Sequence, residues 1–325
     1  MNYLGIDLSK KYFDVTLLNE QDEKSQAKFD NNSSGFGKLS KWLKEKGVVK
    51  LHACMEATNV YWEGVAQSLH DQGHQVSVVN PARIKGHAMS QLRRSKTDKI
   101  DADVIADFCR THKPRVWTPP TAEQRKLRNL VRQREDFIEI RTQEKNRLSD
   151  CQDLESKQRL QRHITFLDSE IAQIEEQSEQ HIAEHSTLAQ PYRLLRSVKG
   201  LGPVASWTIL AEMPDMAEYE DAAAAAADAG VTPSHHESGD TVRRKSRMSR
   251  IGKASIRGVL YLPALTAMRC NPLIQSFVER LEKKGKTTKV IIVAVMRKLV
   301  HLAYGVLKNK TPFDPDYGSE PISTT

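Results

Sequence analysis

Cysteine and aromatic residues are scarce in this sequence. Its four cysteines, Cys54, Cys109, Cys151 and Cys270, lie far apart and form no CxxC pair. This spacing argues against a zinc site built from cysteines and against a disulfide framework, so we expect all four to be small buried hydrophobic residues. Aromatic residues make up 6% of the chain, and no aromatic-rich surface for stacking single-stranded nucleic acid is evident.

Long apolar runs are also missing. No uncharged apolar run reaches the roughly 18 residues that a membrane span requires. The N-terminus leads from Met1-Asn2 directly into strand-like residues instead of a basic and then apolar signal region. We therefore expect a cytoplasmic protein without membrane contact.

The chain length and the charge balance set the remaining bounds. A chain of 325 residues is long enough for more than one domain, because domains usually have roughly 100–200 residues. Hydrophobic residues make up 39% of the chain, which is enough for folded cores. The formal net charge of +8 favours a polyanionic partner, although the distribution of the charge matters more than its sum.

Residues 1–118 are predicted to form a mixed α/β domain. Apolar alternation and short apolar runs predict five strands, at Tyr3–Leu8, Tyr12–Leu18, near Ser25–Phe29, Lys50–Met55 and Gln75–Asn80. Helical spacing predicts helices at Asn32–Lys46, Val60–Gly73 and Asp98–His112, and Pro81 opens another. Sequential strands followed by strands separated by helices fit a mixed sheet covered by helices.

Residues 119–188 are predicted to form a helical hairpin or coiled-coil arm that breaks near Asp150–Ser156. Almost no Gly or Pro occurs between residues 121 and 185, and Glu, Gln, Arg and Lys dominate. A heptad-like seam with the spacing 4-3-4-3 runs through this segment. Its residues are Leu160, Ile164, Leu167, Ile171 and Ile174.

Residues 189–312 are predicted to form a mainly helical domain. Leu194–Pro203 resembles a helix-hairpin-helix element, whose exposed amides can hold a phosphate. Helices are expected at Ala222–Ala227, Lys253–Arg269, Pro272–Lys284 and Thr287–Leu307, with a loop marked by Gly230, Pro233 and Gly239. The polar residues 313–325 are expected to be a disordered tail.

Four acidic residues stand where side chains project from a sheet edge or a helix start. Asp7 ends the first predicted strand and Glu56 ends the fourth, while Asp98 and Asp101 share one face of a first helical turn. Four such carboxylates can hold two Mg²⁺ ions, because Mg²⁺ prefers oxygen ligands. Two metals about 3.5–4 Å apart can stabilise the attacking and leaving oxygens in phosphodiester exchange. Taken singly, Asp98 also fits a helix-dipole acid and Asp101 a lysine partner, whereas Asp7 in a central strand is harder to explain structurally.

Basic residues concentrate in the second half of the chain. Seven of them suit a phosphate backbone: Arg243, Arg244, Lys245, Arg247, Arg250, Lys253 and Arg257. Four others are further candidate nucleic-acid contacts: Arg93, Arg94, Lys96 and Lys199.

Hydroxyl residues are interleaved with these charges. A serine hydroxyl is a weak nucleophile until a base or a metal activates it. Ser238 is flanked by Glu237 and the flexible Gly239, so it can approach a phosphate closely. The residues alone do not choose between Ser238 and Ser249.

Several short motifs occur together in both halves of the chain. They are Gly5-Ile6-Asp7, Met55-Glu56-Ala57-Thr58, Asn80-Pro81, Lys96-Thr97-Asp98-x-x-Asp101-Ala102, Gly200-x-Gly202, Ala229-Gly230-Val231-Thr232-Pro233, Glu237-Ser238-Gly239, Arg247-Met248-Ser249-Arg250-Ile251-Gly252, Met296-Arg297-Lys298-Leu299 and Ala303-Tyr304-Gly305-Val306-Leu307. With them the chain resembles, over almost its whole length, the DEDD transposases of the insertion-sequence one-ten family, which are related to Piv-type DNA invertases. It departs from the family at Asn59, where Gly is common, and in the alanine-rich stretch 221–229.

The resemblance implies a fold, a chemistry and partners. The implied fold is an RNase H-like (RuvC-like) catalytic domain joined by a coiled coil to a smaller helical transposase domain. Asp7, Glu56, Asp98 and Asp101 are implied to bind magnesium, and Ser238 is implied to form a covalent phosphoserine link to DNA. The implied partners are donor DNA, target DNA, a structured bridge RNA, and other copies of the chain in dimers and tetramers, in which one subunit's serine completes another's acid site. Such a protein is expected in the bacterial cytoplasm, at the nucleoid.

Two other functions remain open at this point. The same acids serve a metal-dependent nuclease of the Holliday-junction-resolvase type, which uses water and leaves Ser238 a structural residue. A non-catalytic nucleic-acid scaffold would use only the arm and the basic residues. Asp7→Ala is expected to abolish the activity of either enzyme and to leave the function of a scaffold unchanged. Ser238→Ala is expected to abolish recombination by the serine mechanism and to leave a nuclease that uses water active.

Overall fold

The structure is a computed structural model. It describes residues 1–57, 60–91, 98–234, 237–238, 242–243, 247–249 and 251–315, and within these ranges it leaves out eight side chains, those of Asp98, Lys99, Ser234, Glu237, Ser238, Val242, Arg243 and Arg247. The chain divides into two compact units, unit 1 (Met1–Pro119) and unit 2 (Pro120–Thr325).

Unit 1 contains a five-stranded mixed sheet, which confirms the predicted α/β domain. Its strands are β1 (Asn2–Leu8), β2 (Tyr12–Leu18), β3 (Lys24–Asp30), β4 (Leu51–Glu56) and β5 (Gln75–Val79). Their order across the sheet is β3-β2-β1-β4-β5. The first three strands pair antiparallel, whereas β4 and β5 run parallel to β1.

Helices cover both faces of this sheet. They are α1 (Ser33–Glu45), α2 (Glu63–Asp71), α3 (Pro81–Ser90) and α4 (Asp98–His112). On one face, Leu4 and Ile6 of β1 are buried in a core that includes Leu39 of α1 and Leu69 of α2. Because side chains alternate along a strand, Tyr3, Gly5 and Asp7 of β1 point to the opposite face. There a second core contains Ile84 of α3, Ile105 and Phe108 of α4, and the buried cysteines Cys54 and Cys109.

A polar cluster joins α3 to α4. Asp107 accepts a 2.7 Å hydrogen bond from Arg110, accepts another from Gln91, and lies 2.9 Å from Nε2 of His87. Burial alone would raise the pKa of Asp107, but the side-chain hydrogen bonds from Arg110, Gln91 and His87 outweigh it and lower the pKa to about 2. A carboxyl group whose pKa falls on folding stabilises the folded state above its unfolded pKa.

We expect Asp107→Asn to lower the free energy of unfolding by about 1–2 kcal/mol at pH 7. The stabilisation from the ionised carboxylate is present above the unfolded pKa near 3.8 and is lost as the pH falls through about 2. The difference between wild type and variant should therefore shrink by about half near pH 3. Urea unfolding followed by tryptophan fluorescence measures it, and a difference that stays constant from pH 7 to pH 3 would contradict the assignment.

Unit 2 begins with two long helices packed on each other. They are α5 (Ala122–Asp150) and α6 (Leu154–Glu184), and they break at Cys151–Asp153, within the predicted region. Thr121 and Gln124 form a capping box at the start of α5, and Asp153 caps α6. Four of the five predicted seam residues are buried: Ile164, Leu167, Ile171 and Ile174. The α5 side of the seam is partly charged, because Arg134 pairs with Glu175 at 2.7 Å and Arg141 with Asp168 at 2.6 Å.

The rest of unit 2 is a bundle of helices around one apolar core. The helices are α7 (Ser186–Ser197), α8 (Pro203–Glu212), a short 3-10 helix (Met216–Glu218), α9 (Ala222–Asp228), α10 (Ala254–Val259), α11 (Tyr261–Cys270), α12 (Pro272–Lys283) and α13 (Thr288–Asn309). The turn between α7 and α8 packs closely against α11. A Cβ at Gly200 (φ +112) would lie 2.6 Å from Cβ of Ala267. Buried Asn271 also donates a 2.9 Å hydrogen bond to the carbonyl of Lys199 in this turn.

Three expectations need correction. The segment expected to be a loop after Gly230 contains short strands, β6 (Pro233–Ser234), β7 (Glu237–Ser238), β8 (Val242–Arg243) and β9 (Arg247–Met248). The single helix expected over Lys253–Arg269 is two, α10 and α11, with α11 beginning at Tyr261. Only Cys54 and Cys109 are buried, whereas Cys151 is partly exposed and Cys270, the last residue of α11, is exposed.

Helix α13 bears on the expectation that the chain has no membrane span. Within the described residues this 22-residue helix is long and apolar enough to cross a membrane by length and composition alone. Its buried residues, among them Val295, Leu299 and Ala303, form part of the core of unit 2. A core helix passes the same test, so α13 is weak support for a membrane span.

The C-terminal residues are attached to the bundle at Phe313. Its backbone N–H donates a 2.7 Å hydrogen bond to Ser197 Oγ, and its ring packs against the core of unit 2. Residues 316–325 lie outside the described residues, so a disordered tail stays a prediction.

Candidate active site

Asp7 and Glu56 lie at the carboxyl ends of two neighbouring parallel strands, Asp7 as the penultimate residue of β1 and Glu56 as the last residue of β4. Ile6 of β1 pairs with Met55 of β4. The residues that follow them, Asp7 and Glu56, therefore lie side by side on the two strands. Adjacent strands are about 4.8 Å apart, and level residues on parallel strands point to the same face. Both side chains are partly buried. The structure therefore brings these two predicted acids together at the carboxyl ends of β1 and β4.

Gly5 allows α4 to lie directly on β1. A Cβ at Gly5 would stand 2.1 Å from the carbonyl oxygen of Ala102 and 2.2 Å from the backbone nitrogen of Ala106. These are backbone atoms, so no side-chain rearrangement relieves the overlap. Gly5 and Asp7 are two residues apart on a strand and point to the same face. The face that carries Asp7 is thus the face covered by α4.

The direction of α4 brings its first turn to the acidic end of β1. Cys109, in the second half of α4, donates from Sγ to the carbonyl of His52 at 3.5 Å. His52 pairs with Tyr3 at the start of β1, whereas Ala102 lies over Gly5 further along the strand. The helix therefore runs antiparallel to β1, and its first turn, with Asp98 and Asp101, extends toward Asp7.

Of the two acids on α4, Asp101 has a described side chain, which is partly buried. Asp98 begins the helix, but its side chain lies outside the described residues. Asp7, Glu56 and Asp101 supply carboxylate oxygens at one end of the sheet. Oxygen ligands of this kind suit a hard divalent cation, so the donor set fits the metal site that the sequence predicts.

Sequence reasoning missed Asp14 as a neighbour of this cluster. Asp14 of β2 pairs directly with Asp7 across the antiparallel ladder, and only 4% of its surface is exposed. Its carboxylate lies 3.2 Å from Nζ of Lys28 on β3. Lys28 therefore balances a buried negative charge beside Asp7. The signal in the sequence was one acid within an otherwise apolar strand, and only the strand register reveals its neighbour.

Ser238 lies at the end of a short ladder in unit 2. Strands β7 and β8 pair antiparallel, with Ser238 opposite Val242, and β6 pairs with β9 outside them. The side chain of Ser238 is outside the described residues. Ser249, the other candidate, has a structural contact, because its Oγ accepts a 3.2 Å hydrogen bond from the backbone N–H of Ile251. This contact gives Ser249 Oγ a structural partner, and the choice of Ser238 as the nucleophile stays a prediction.

Two glycines hold the ends of the segment that carries Ser238. A Cβ at Gly252 (φ +109) would lie 2.5 Å from Cα of Gly230 and 2.7 Å from the carbonyl oxygen of Asp228. Gly230 itself has φ +70, a left-handed conformation that favours glycine. The backbone N–H of Lys253 donates to the Asp228 carbonyl at 2.8 Å, and Lys253 Nζ also bonds the Asp228 carboxylate. We call this contact the glycine clamp.

We expect Gly252→Ala to reduce the DNA strand exchange that the family resemblance implies by at least about 100-fold, because a displaced reacting group costs about that much. The new Cβ meets backbone on three sides and requires an unfavourable φ. Gly258→Ala in α10 is the matched control, since a Cβ there has nothing within 4 Å. The rate of strand exchange and the melting temperature are measured for both variants. Exchange by Gly252→Ala at the wild-type rate would rule out a role of the glycine clamp in positioning the segment that carries Ser238.

The predicted nucleic-acid contacts have different placements. Lys199 is exposed in the turn between α7 and α8. Lys253 is engaged in the glycine clamp, and Arg257 donates a 3.3 Å hydrogen bond to the carbonyl of Gly252. Six candidates lie outside the described residues: Arg93, Arg94, Lys96, Arg244, Lys245 and Arg250. Two more, Arg243 and Arg247, have described backbone in β8 and β9 but no described side chain. Nucleic-acid binding by all of these residues stays a prediction.

Known proteins match both halves of the chain. Residues 4–154 match the DEDD transposase family of IS110, and residues 192–279 match the family described as "Transposase IS116/IS110/IS902 family". The pilin gene-inverting protein of Moraxella bovis is 33% identical over 315 residues, which cover 96% of this chain and 97% of the relative. The chain belongs to the IS110 family of DEDD transposases. The pilin gene-inverting protein of Moraxella lacunata has the same identity and coverage.

Membership of the family makes the protein an enzyme, a transposase that recombines DNA. A protein of insertion element IS900 from Mycobacterium paratuberculosis is a more distant relative, with 25% identity over 158 residues, or 48% of this chain and 38% of the relative. The DEDD family also indicates a divalent metal. A scaffold without catalytic activity, one of the alternatives considered from the sequence, is therefore set aside.

Proposed function

We propose that this transposase moves an insertion sequence by cutting and rejoining DNA strands through a covalent phosphoserine at Ser238, with magnesium bound by Asp7, Glu56, Asp98 and Asp101. The observation that supports the metal site most directly is the convergence of Asp7, Glu56 and the first turn of α4 at one end of the sheet. The strand order with an antiparallel β2, and an acidic helix over β1, supports an RNase H-like fold for residues 1–118.

In the proposed mechanism, the acidic residues bind the metal and Ser238 is the nucleophile. Bound Mg²⁺, as a pair of ions, would offset the negative charge that develops on the phosphate. The four carboxylates would hold the cations, and Lys28 offsets the charge of Asp14 beside them. Ser238 Oγ attacks the phosphorus, so a P–O bond to serine forms while the P–O bond to one DNA hydroxyl breaks. The serine proton is transferred away, and the released hydroxyl takes up a proton.

Rejoining reverses this step with another DNA end. A DNA hydroxyl attacks the phosphoserine, a new phosphodiester forms, and Ser238 regains its proton. The number of phosphate ester bonds is unchanged throughout, so no ATP is needed. A nuclease that uses water would instead lose one ester bond in each event, and this difference separates the two enzyme candidates.

Asp7→Asn is expected to lower the rate of strand exchange by about 1000-fold, because losing a metal ligand removes several kcal/mol of stabilisation of the transition state. Activity of the wild type should also disappear with a chelator and return with Mg²⁺. Asp71→Asn at the end of α2 is the control, since the Asp71 side chain is 62% exposed. Retention of wild-type rates by Asp7→Asn, with DNA binding unchanged, would refute the metal site.

The family resemblance also supports partners beyond DNA. We propose that a structured bridge RNA guides the choice of donor and target, and that the arm of α5 and α6 is a coiled coil within dimers that assemble into tetramers. In these assemblies the acids of one subunit would act with the serine of another, in the bacterial cytoplasm at the nucleoid. Sequencing of RNA that co-purifies with the protein tests the first point: a single structured RNA encoded beside the gene supports it, and RNA at background level contradicts it.

A further inference from the structure

Three metal-ligating side chains meet where α6 ends and α7 begins. His181, Glu184 and His185 each offer a ligand atom, and these atoms all lie within 4.8 Å of one another. The spacing His181-x-x-Glu184-His185 explains the cluster, because positions i, i+3 and i+4 are neighbours on one helical face. None of the three residues belongs to the proposed acid site of unit 1.

Hydrogen bonds determine which ring nitrogens carry lone pairs. Nε2 of His181 lies 2.9 Å from the carbonyl oxygen of Glu123, and Nδ1 of His185 lies 2.8 Å from the carbonyl oxygen of His181. A carbonyl oxygen only accepts, so both of these nitrogens carry hydrogen. In neutral rings, Nδ1 of His181 and Nε2 of His185 therefore keep lone pairs.

His181 is the residue that requires an explanation. Its surface is only 4% exposed, and its Nδ1 is buried without a hydrogen-bond partner among the described residues. A buried nitrogen lone pair without a partner is unfavourable. A metal ion satisfies it, and the N–H donated from the other ring nitrogen to a backbone carbonyl is the usual support of a metal-ligating histidine.

We propose that His181, Glu184 and His185 form a site for Zn²⁺ or a similar borderline divalent cation. Imidazole nitrogens with one carboxylate suit zinc, whereas Mg²⁺ prefers oxygen alone. In a tetrahedral zinc site, ligand atoms are roughly 3.4 Å apart, so the cluster needs only small side-chain rotations to close. Glu184 is exposed, and its Oε1 accepts a 2.8 Å hydrogen bond from Nε2 of Gln180.

The position of the site defines its role. His185 is both the C-cap of α6 and the N-cap of α7, and His181 is bonded to Glu123 in the first turn of α5. A bound cation would tie together the ends of three helices, with water as the fourth ligand. Zinc bound there would stabilise the junction between α6 and α7, and through His181 the contact of α6 with the start of α5.

Zinc titration of the full chain tests this proposal. The protein is stripped with a chelator, supplied with excess Mg²⁺ to occupy carboxylate sites, and titrated with Zn²⁺ against a chromophoric competitor. One Zn²⁺ per chain is expected, with an affinity at least about 100-fold lower in His181→Gln and in His185→Gln. Glu184→Gln, at an exposed position, should lose about tenfold.

His163→Gln is the matched control, because His163 lies on the same helix α6, 18 residues before His181 and with a side chain 47% exposed. It should bind zinc as the wild type does. Co²⁺ in place of Zn²⁺ should give the visible absorption of a four-coordinate site, which His185→Gln and Glu184→Gln lack while their circular dichroism is unchanged. The proposal is overturned by a wild type that binds no Zn²⁺ under these conditions, or by equal binding in the wild type, His185→Gln and Glu184→Gln.

Discussion

Ser238→Ala is expected to abolish strand exchange and the covalent protein–DNA adduct together. Alanine has no oxygen to form the bond to phosphorus, and a water molecule that replaced it would not be held in position. The loss should be at least about 1000-fold, with DNA binding unchanged. Electrophoresis under denaturing conditions detects the adduct, and sequencing of the DNA products detects exchange.

Ser249→Ala is the matched control for this prediction. It removes a hydroxyl from the same basic segment, where the structure gives Ser249 Oγ a hydrogen bond from Ile251. Loss of that bond costs about 1 kcal/mol in stability, so adduct formation should persist. If Ser238→Ala exchanges strands at the wild-type rate, the serine mechanism is wrong and the water-using nuclease becomes the better account.

Gly5→Ala is expected to lower strand exchange by at least about 100-fold, although Gly5 bears no functional group. The added Cβ would lie 2.1 Å from the Ala102 carbonyl oxygen, so α4 must move away from β1. That movement shifts Asp98 and Asp101 relative to Asp7. It should also lower the free energy of unfolding by about 3 kcal/mol, as overpacking of a core does.

Gly37→Ala in α1 isolates this effect. Gly37 lies in unit 1, and a Cβ there has nothing within 4 Å. Alanine in a helix is favoured over glycine by about 0.5–1 kcal/mol, so this variant should be as active as the wild type and slightly more stable. Exchange is assayed well below the melting temperatures of both variants. Wild-type activity of Gly5→Ala would mean that contact between α4 and β1 does not position the acids.

Local patterns in the sequence predicted most of unit 1. The position of Asp7 near the end of β1 and the start of α4 at Asp98 follow from apolar periodicity, and both elements were predicted within about a residue. The relation between them depends on tertiary structure. Periodicity does not reveal that Asp14 pairs with Asp7, nor that Gly5 lies under α4, because both depend on strand register and helix packing.

The second half of the chain shows a different limit. The strands around Ser238 contain two residues each. Such strands are too short to show a detectable alternation of apolar and polar residues in the sequence. The cysteine pattern did not predict the cluster at His181, because its candidate ligands are two histidines and a glutamate. The spacing of the two histidines was visible, but the unpartnered Nδ1 depends on a hydrogen bond to Glu123, 58 residues earlier in the chain.

The chemical identity of the protein–DNA linkage tests the central claim most directly. The adduct is trapped in Mg²⁺, digested with nuclease and protease, and its attachment site is mapped by tandem mass spectrometry. The proposed mechanism predicts a nucleotide bound through phosphate to Ser238, and no such peptide from Asp7→Asn. Linkage at any other residue, or rejoined DNA formed without a covalent protein intermediate, would contradict it.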